Sequence, residues 1–148
     1  MKGITLNDLK KEIIKKIELF KDEDTKVYDG LVKEEFEKPC FFIENVKGNQ
    51  AKQLGNRYKR KQIFKISYFP KQGDSISEEM LRVAETLYDE LEHIRLEEIT
   101  IMGQDMSYEI IDNVLHFSID YTFYIVKENL EVPIMEKLYQ KGEVKDDQ

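Results

Sequence analysis

The sequence contains a single cysteine, Cys40, in 148 residues, so no disulfide can form within the chain. Cys40 sits in the apolar run "CFFI", where a small buried side chain is expected rather than a reactive thiol. Apolar runs are short throughout. None approaches the roughly 18 residues that carry a helix across a bilayer, and the opening "MKGITLNDLKKEII" lacks the apolar stretch and small-residue cleavage site of a secretory leader. These absences point to a cytosolic protein that does not engage a membrane. Histidine is nearly as scarce: His93 and His116 are the two in the chain. With Cys40 they share no CxxC or HExxH spacing, so no zinc site is expected and both read as structural.

The features that catalysis or cofactor binding would need are also missing. "GNQAKQLGN" keeps two glycines but not the lysine and hydroxyl that follow them in a phosphate-binding loop, and no helix clearly starts after it. There is no GxSxG elbow, and Ser67, Ser107 and Ser118 have no evident partner set. The acidic groups Asp22/Asp24 and Glu34/Glu35/Glu37 lie in charged connectors, which are usually only solvated. The expectation is a protein that is not an enzyme, with no catalytic residue, no metal and no cofactor.

What is present is enough for one packed domain. Hydrophobic residues make up 41% and aromatic residues 11% of the chain, while 36% is charged with a formal net charge of -7, so a single core under a well-solvated surface is expected. Thr5 and Asp8 have capping-box spacing, and Leu6, Leu9, Ile13, Ile17 and Phe20 then recur at helical intervals. A short strand is expected over residues 27–32. Two longer strands follow, "CFFIENV" over 40–46 and residues 60–69, where Phe64, Ile66 and Tyr68 alternate with polar positions. A second helix starts near Ser75, with Glu78 completing a capping box, and carries Met80, Val83, Ala84, Leu87 and Leu91 on one side. "EEITIMG" and "SYEIID" read as two strands, and Asp112-Asn113 as a tight turn. In "VLHFSIDYTFYIV" the residues Leu115, Phe117, Ile119, Tyr121 and Phe123 alternate with His116, Ser118, Asp120 and Thr122, as in a strand buried on one side. The order predicts an α+β fold, a mostly antiparallel sheet packed against two helices, in a single domain over residues 1–126 with a peripheral arm over 127–148.

One segment departs from the acidic balance. No acidic residue occurs between Asn45 and Gly73, and Lys47, Lys52, Arg57, Lys59, Arg60 and Lys61 cluster there. "KGNQAKQLGN", residues 47–56, reads as a long hairpin loop between two strands. Three uses fit it: lysines that protect a strand edge, a nucleic-acid-binding module over residues 47–65 with Tyr58, Phe64 or Tyr68 stacking on bases, or docking on an acidic protein surface such as a second copy of the chain. Phe64 and Tyr68 fit the alternation of a core strand, which weakens the second.

The order and spacing of "ITLNDLKKEII", "PCFFIENV", the basic glycine-containing loop, "RYKRKQIFKISYFP", "SISEEMLRVAETLYDELEHI" and "VLHFSIDYTFYIV" resembles the tail terminator family of Gram-positive phages and phage tail-like particles. The resemblance implies a structural protein that forms a homo-oligomer, a hexameric ring on the end of the tail tube, stops tube polymerisation and offers an interface for head-connector or neck protein. It implies contact with tail tube protein and, where a tail has one, sheath protein, with DNA only in transit through the channel. It also implies assembly in the bacterial host cytoplasm and a place at the head-proximal end of the tail. Residues 47–60 match the extended loop by which such proteins reach the tube.

Overall fold

A computed structural model describes residues 4–30 and 34–127 of the chain. Among them are two helices and six strands: α1 (Leu6–Phe20), β1 (Lys26–Asp29), β2 (Cys40–Lys52), β3 (Arg57–Phe69), α2 (Ile76–Leu91), β4 (His93–Leu96), β5 (Ile99–Ile111) and β6 (Val114–Val126). Helix α1 starts where its sequence signal places it. The Thr5 hydroxyl accepts the Asp8 N–H and the Asp8 carboxylate accepts the Thr5 N–H, both at 3.1 Å, so two otherwise orphaned donors are satisfied reciprocally. Leu9, Ile13 and Ile17 recur every four residues and are buried, as are Met80, Ala84, Leu87 and Leu91 of α2.

The six strands form one sheet in the order β1-β2-β3-β6-β5-β4. Only β1 pairs parallel, with β2; the other joins are antiparallel. The α+β class, the mostly antiparallel sheet and the two helices match the expectation from sequence. Both helices contribute their apolar stripes to a core with Phe41 and Ile43 of β2, Phe64, Ile66 and Tyr68 of β3, and Leu115 to Phe123 at alternate positions of β6. Among the described residues the opposite side of the sheet carries no helix. At one end of that side Tyr28, Phe36, Phe42 and Phe69 pack together with centroids 4.7–5.6 Å apart, Tyr28 stacked on Phe42 and the other contacts edge-on or tilted.

Helix α2 runs almost directly into β4, and the sheet satisfies its last carbonyls. The buried Tyr121 hydroxyl donates to the Leu91 carbonyl (2.5 Å), and the Gly103 N–H donates to the Glu92 carbonyl (2.6 Å). These are groups that a helix end must otherwise hand to a cap or to water. Gly103 allows the approach: a Cβ there would collide with the Ile119 side chain and stand 3.2 Å from the Leu91 carbonyl oxygen. Gly103→Ala is therefore expected to lower stability by about 1–3 kcal/mol through overpacking, read as a shift of the urea midpoint at unchanged m-value.

The structure corrects four expectations. The segment expected to be a long loop is strand: β2 and β3 continue to Lys52 and from Arg57, leaving a short turn between them. "EEITIMG" and "SYEIID" belong to one strand, β5, whose register with β6 shifts between Gln104 and Ser107. Strand β4 was not foreseen, because no glycine or proline separates it from α2. Ser75 is the N-cap of α2, yet its side chain makes no capping hydrogen bond. The Asp112-Asn113 turn is as expected, both residues having positive φ (51° and 61°), as a type I′ hairpin requires. The expected strand over 27–32 extends partly outside the described residues, and the expected arm does so beyond Lys127. Among the described residues no helix is long and apolar enough to cross a membrane.

Candidate functional site: a basic strand ribbon

Among the described residues, strand β1 pairs with β2 only from Cys40 to Ile43. Beyond that point β2 and β3 run on together as a ribbon, in register from Lys47↔Ile63 to Lys52↔Tyr58 after an irregularity between Asn45 and Lys47. The ribbon turns at residues 53–56, where the Gln53 N–H donates to the Arg57 carbonyl (2.8 Å) and Gly55 takes φ +67°, a conformation that glycine adopts without steric cost. Strand β6 pairs with β3 along the same length, from Arg57↔Val126 to Tyr68↔Leu115. At the tip, the Lys127 N–H donates to the Asn56 carbonyl (2.9 Å) and the Asn56 side-chain amide donates to the Lys127 carbonyl (2.6 Å).

Because strand side chains alternate between faces, the six sequence-selected cations divide into two sets. Arg57, Lys59 and Lys61 share parity with Ile63 and Lys65 on the helix-free side, joined by Lys47 opposite Ile63. Arg60 shares parity with the core residues Phe64 and Ile66, joined by Lys52 opposite Tyr58. They do not converge on one point, and they form a positive surface on both sides of the ribbon. Their local partners differ as well. The Lys61 ammonium lies 3.4 Å from the Asp120 carboxylate, which is 4% exposed and also accepts from the Thr122 hydroxyl at 3.2 Å. Arg60 donates to the Gln50 side chain (2.8 Å), and the Arg57 guanidinium lies 4.2 Å from the Tyr124 ring centroid. Among the described residues Lys47, Lys52 and Lys59 have no carboxylate within ion-pair distance. Of the aromatic residues considered for base stacking, Phe64 and Tyr68 are buried, and the Lys127 ammonium lies 4.4 Å from the Tyr58 ring centroid.

The other sequence candidates lie elsewhere. Cys40 is buried, and that burial, partly opposed by Lys38, pushes its thiol up to about 11. Ser67, His116 and Glu109 stand in one register row across β3, β6 and β5, with the Ser67 hydroxyl 3.4 Å from His116 Nδ1. Ser107 and Ser118 line the same shallow recess as His116. Ser67 is itself buried, so the row does not present a nucleophile to solvent. Asp22 and Asp24 line a separate cleft of about 350 Å³, with Arg82 and the hydrogen-bonded pair Tyr68 and Glu79. Glu37 pairs with Lys26 at 3.4 Å. Among the described residues no three metal-ligating side chains come together.

Burial and then the charge of Lys65 hold the His116 imidazole below its ordinary value of 6.5, with Glu109 opposing. Its neutral form is favoured in the folded state. The resulting stabilisation is present above pH 6.5 and is lost as pH falls from 6.5 through the lower folded value. An NMR titration of the imidazole is expected to give a midpoint below 6.5, and His116→Gln is expected to remove this part of the acid sensitivity.

Sequence reasoning selected the cations but missed Asp120, Gln50 and Tyr124, which hold three of them. A signal existed for Asp120 alone: an acid on the polar side of the most regular strand. A family model described as phage tail terminator protein matches residues 8–133 of the chain. No curated protein matches it.

Proposed function

The chain belongs to the phage tail terminator family, and on that premise we propose that it assembles head to tail into a ring, a hexamer, on the head-proximal end of the tail tube. There it halts tube polymerisation and presents its free side to the head connector, while DNA passes through the opening. Assembly takes place in the host cytoplasm, and sheath protein is a further neighbour in particles that carry one.

The observation that carries this reading is the ribbon. It projects beyond the cover of β1, and it places Lys47, Lys52 and Lys59 in solvent without an acidic neighbour among the described residues, in a chain of net charge -7. A positive projection on a negative body favours contact between unlike surfaces and disfavours contact between like ones. A repeated contact between unlike surfaces gives a ring when its rotation closes and an open filament when it does not, and a tube end of fixed circumference favours the closed form. The end of the tube can template that ring, so it need not be populated by the isolated chain at low concentration.

The test is light scattering on the purified protein, alone and mixed with its tail tube protein, together with tube lengths from electron microscopy. The expected result is a ring-sized species that forms with the tube and a stop in tube elongation. A strict monomer that neither binds tubes nor limits their length would refute the proposal.

A further inference from the structure

We propose that the ring closes by strand pairing, residues 44–52 of β2 in one copy forming an antiparallel ladder with residues 103–111 of β5 in the next, so that one sheet runs continuously from subunit to subunit. The inference rests on the ring reading above and specifies the surface by which copies meet.

Backbone accounting points to these two edges. In the order β1-β2-β3-β6-β5-β4, β1 covers β2 only at Cys40–Ile43 and β4 covers β5 only from Ile99 to Met102. Among the described residues, the remainder of each 13-residue strand has a partner on one side only, apart from the Gly103 N–H that donates to the Glu92 carbonyl. The two open stretches are equal in length, and each otherwise leaves a row of N–H and C=O groups ready to pair with another chain. Their directions also match. Three antiparallel joins separate β2 from β5, so the two strands run in opposite senses. A rotation about an axis roughly along the strands then sets the β2 of each copy antiparallel to the β5 of its neighbour.

Charge selects β2 with β5 over either edge with itself. No acidic residue lies between Asn45 and Gly73, whereas no Lys or Arg lies between Arg95 and Lys127. The β2 edge carries Lys47 and Lys52, with Glu44 at its start; the β5 edge carries Asp105 and Glu109, with Asp112 in the following turn. Like charges directly opposite one another destabilise a strand pair and unlike charges support it. The β5 edge also exposes apolar side chains that a neighbouring strand would cover, Tyr108 (40%), Ile110 (39%) and Ile111 (49%), and Val46 (49%) is exposed on β2. The open stretch of β2 is level with Ser118 to Ile125 of β6, and that of β5 with Val114 to Tyr121. Joining them staggers each copy against the next, and a stagger repeated around a closed sheet tilts its strands in a barrel-like wall.

Proline can block each edge separately, because an edge strand tolerates it where the N–H faces outward. The Ile43 carbonyl turns outward to the Gly30 N–H, and the Gly103 N–H turns outward to the Glu92 carbonyl. Each strand gains one residue at its register shift, between Asn45 and Lys47 in β2 and between Gln104 and Ser107 in β5, and the alternation beyond those shifts turns the N–H groups of Gln50 and Ile110 outward. Gln50→Pro and Ile110→Pro are each expected to lose ring formation on the tube, while circular dichroism stays that of the folded chain. A one-to-one mixture of the two is expected to give dimers and nothing larger, since each variant retains the edge that the other lacks. If either proline prevents folding, the pairs Lys47→Glu with Lys52→Glu and Asp105→Lys with Glu109→Lys replace it: each alone is expected to lose ring formation, and their one-to-one mixture is expected to restore it in alternating copies, because each reversed edge then meets an edge of opposite sign. Rings built by a folded blocked variant as readily as by the parent chain would overturn the edge pairing and leave the ring reading intact. A proline mixture that yields no dimer under conditions where the parent chain forms rings would overturn it too. A parent chain that makes no ring with tube protein would remove the ring reading and this inference together.

Discussion

Tyr121→Ala is expected to lower the free energy of unfolding by about 3–5 kcal/mol, the range for removing a large buried ring from a packed core. Tyr121 is fully buried, packs edge-on against Phe64 with centroids 6.1 Å apart, and donates its hydroxyl to the Leu91 carbonyl at the end of α2. The substitution therefore leaves a cavity between sheet and helix and also orphans a carbonyl. Domains of this kind have only about 5–15 kcal/mol of total stability, so a large part of the fold's margin depends on this side chain. Tyr121→Phe separates the two contributions: it keeps the ring and is expected to cost about 1–3 kcal/mol for the unpaired buried carbonyl. Urea titrations of both variants supply the comparison. Equal losses would assign the effect to the hydrogen bond, and a loss below about 1 kcal/mol for Tyr121→Ala would contradict the packing described.

The parts of the fold that were legible in the sequence are those in which one side of an element is buried and the other wet. Strand β6 alternates from Leu115 to Phe123, and α1 repeats Leu9, Ile13 and Ile17, because burial imposes the period of the backbone on side-chain chemistry. Residues 47–63 outside that cover carry no alternation, since neither side of the ribbon is buried near its tip. Backbone hydrogen bonds between β2, β3 and β6 hold it as strand, and those leave no pattern in side-chain polarity. Strand β5 was divided in two for a related reason: Gly103, Gln104 and Asp105 look like a turn, and the structure absorbs them in a register shift. The capping spacing of Ser75 located the start of α2, although the hydroxyl does not make the bond that the spacing suggests.

The candidate site was legible in composition and illegible in arrangement. Six cations in a run without acids are visible in the sequence, but their division between two faces depends on a register fixed by pairing with β2. The burial of Asp120 beside Lys61 joins positions far apart in the chain. That arrangement decides which cations can be altered without disturbing the fold.

Reversing Lys47, Lys52 and Lys59 together to glutamate is expected to weaken association with the tube end, or between copies, at least about tenfold, a change of about 1.4 kcal/mol or more. The melting temperature should change little. The three side chains are exposed and lie beyond ion-pair distance of any carboxylate among the described residues, and exposed substitutions of this kind usually fall within about 0.5 kcal/mol. Lys61→Glu is the contrasting variant. It would set a second carboxylate beside Asp120, which is nearly out of reach of water, so folding itself should suffer, because a buried charge that loses its partner is strongly destabilising. Co-sedimentation with tail tubes, paired with thermal melts, distinguishes the two. The parent chain's binding should fall as salt rises through the range where the Debye length shortens from about 10 Å to 3 Å, and the triple variant's residual binding should be nearly independent of salt. A triple variant that caps tubes with parental affinity at low salt would show that the ribbon's charge has no part in docking, and it would overturn the edge pairing as well, because it carries the Lys47 and Lys52 reversals that are expected to block the β2 edge.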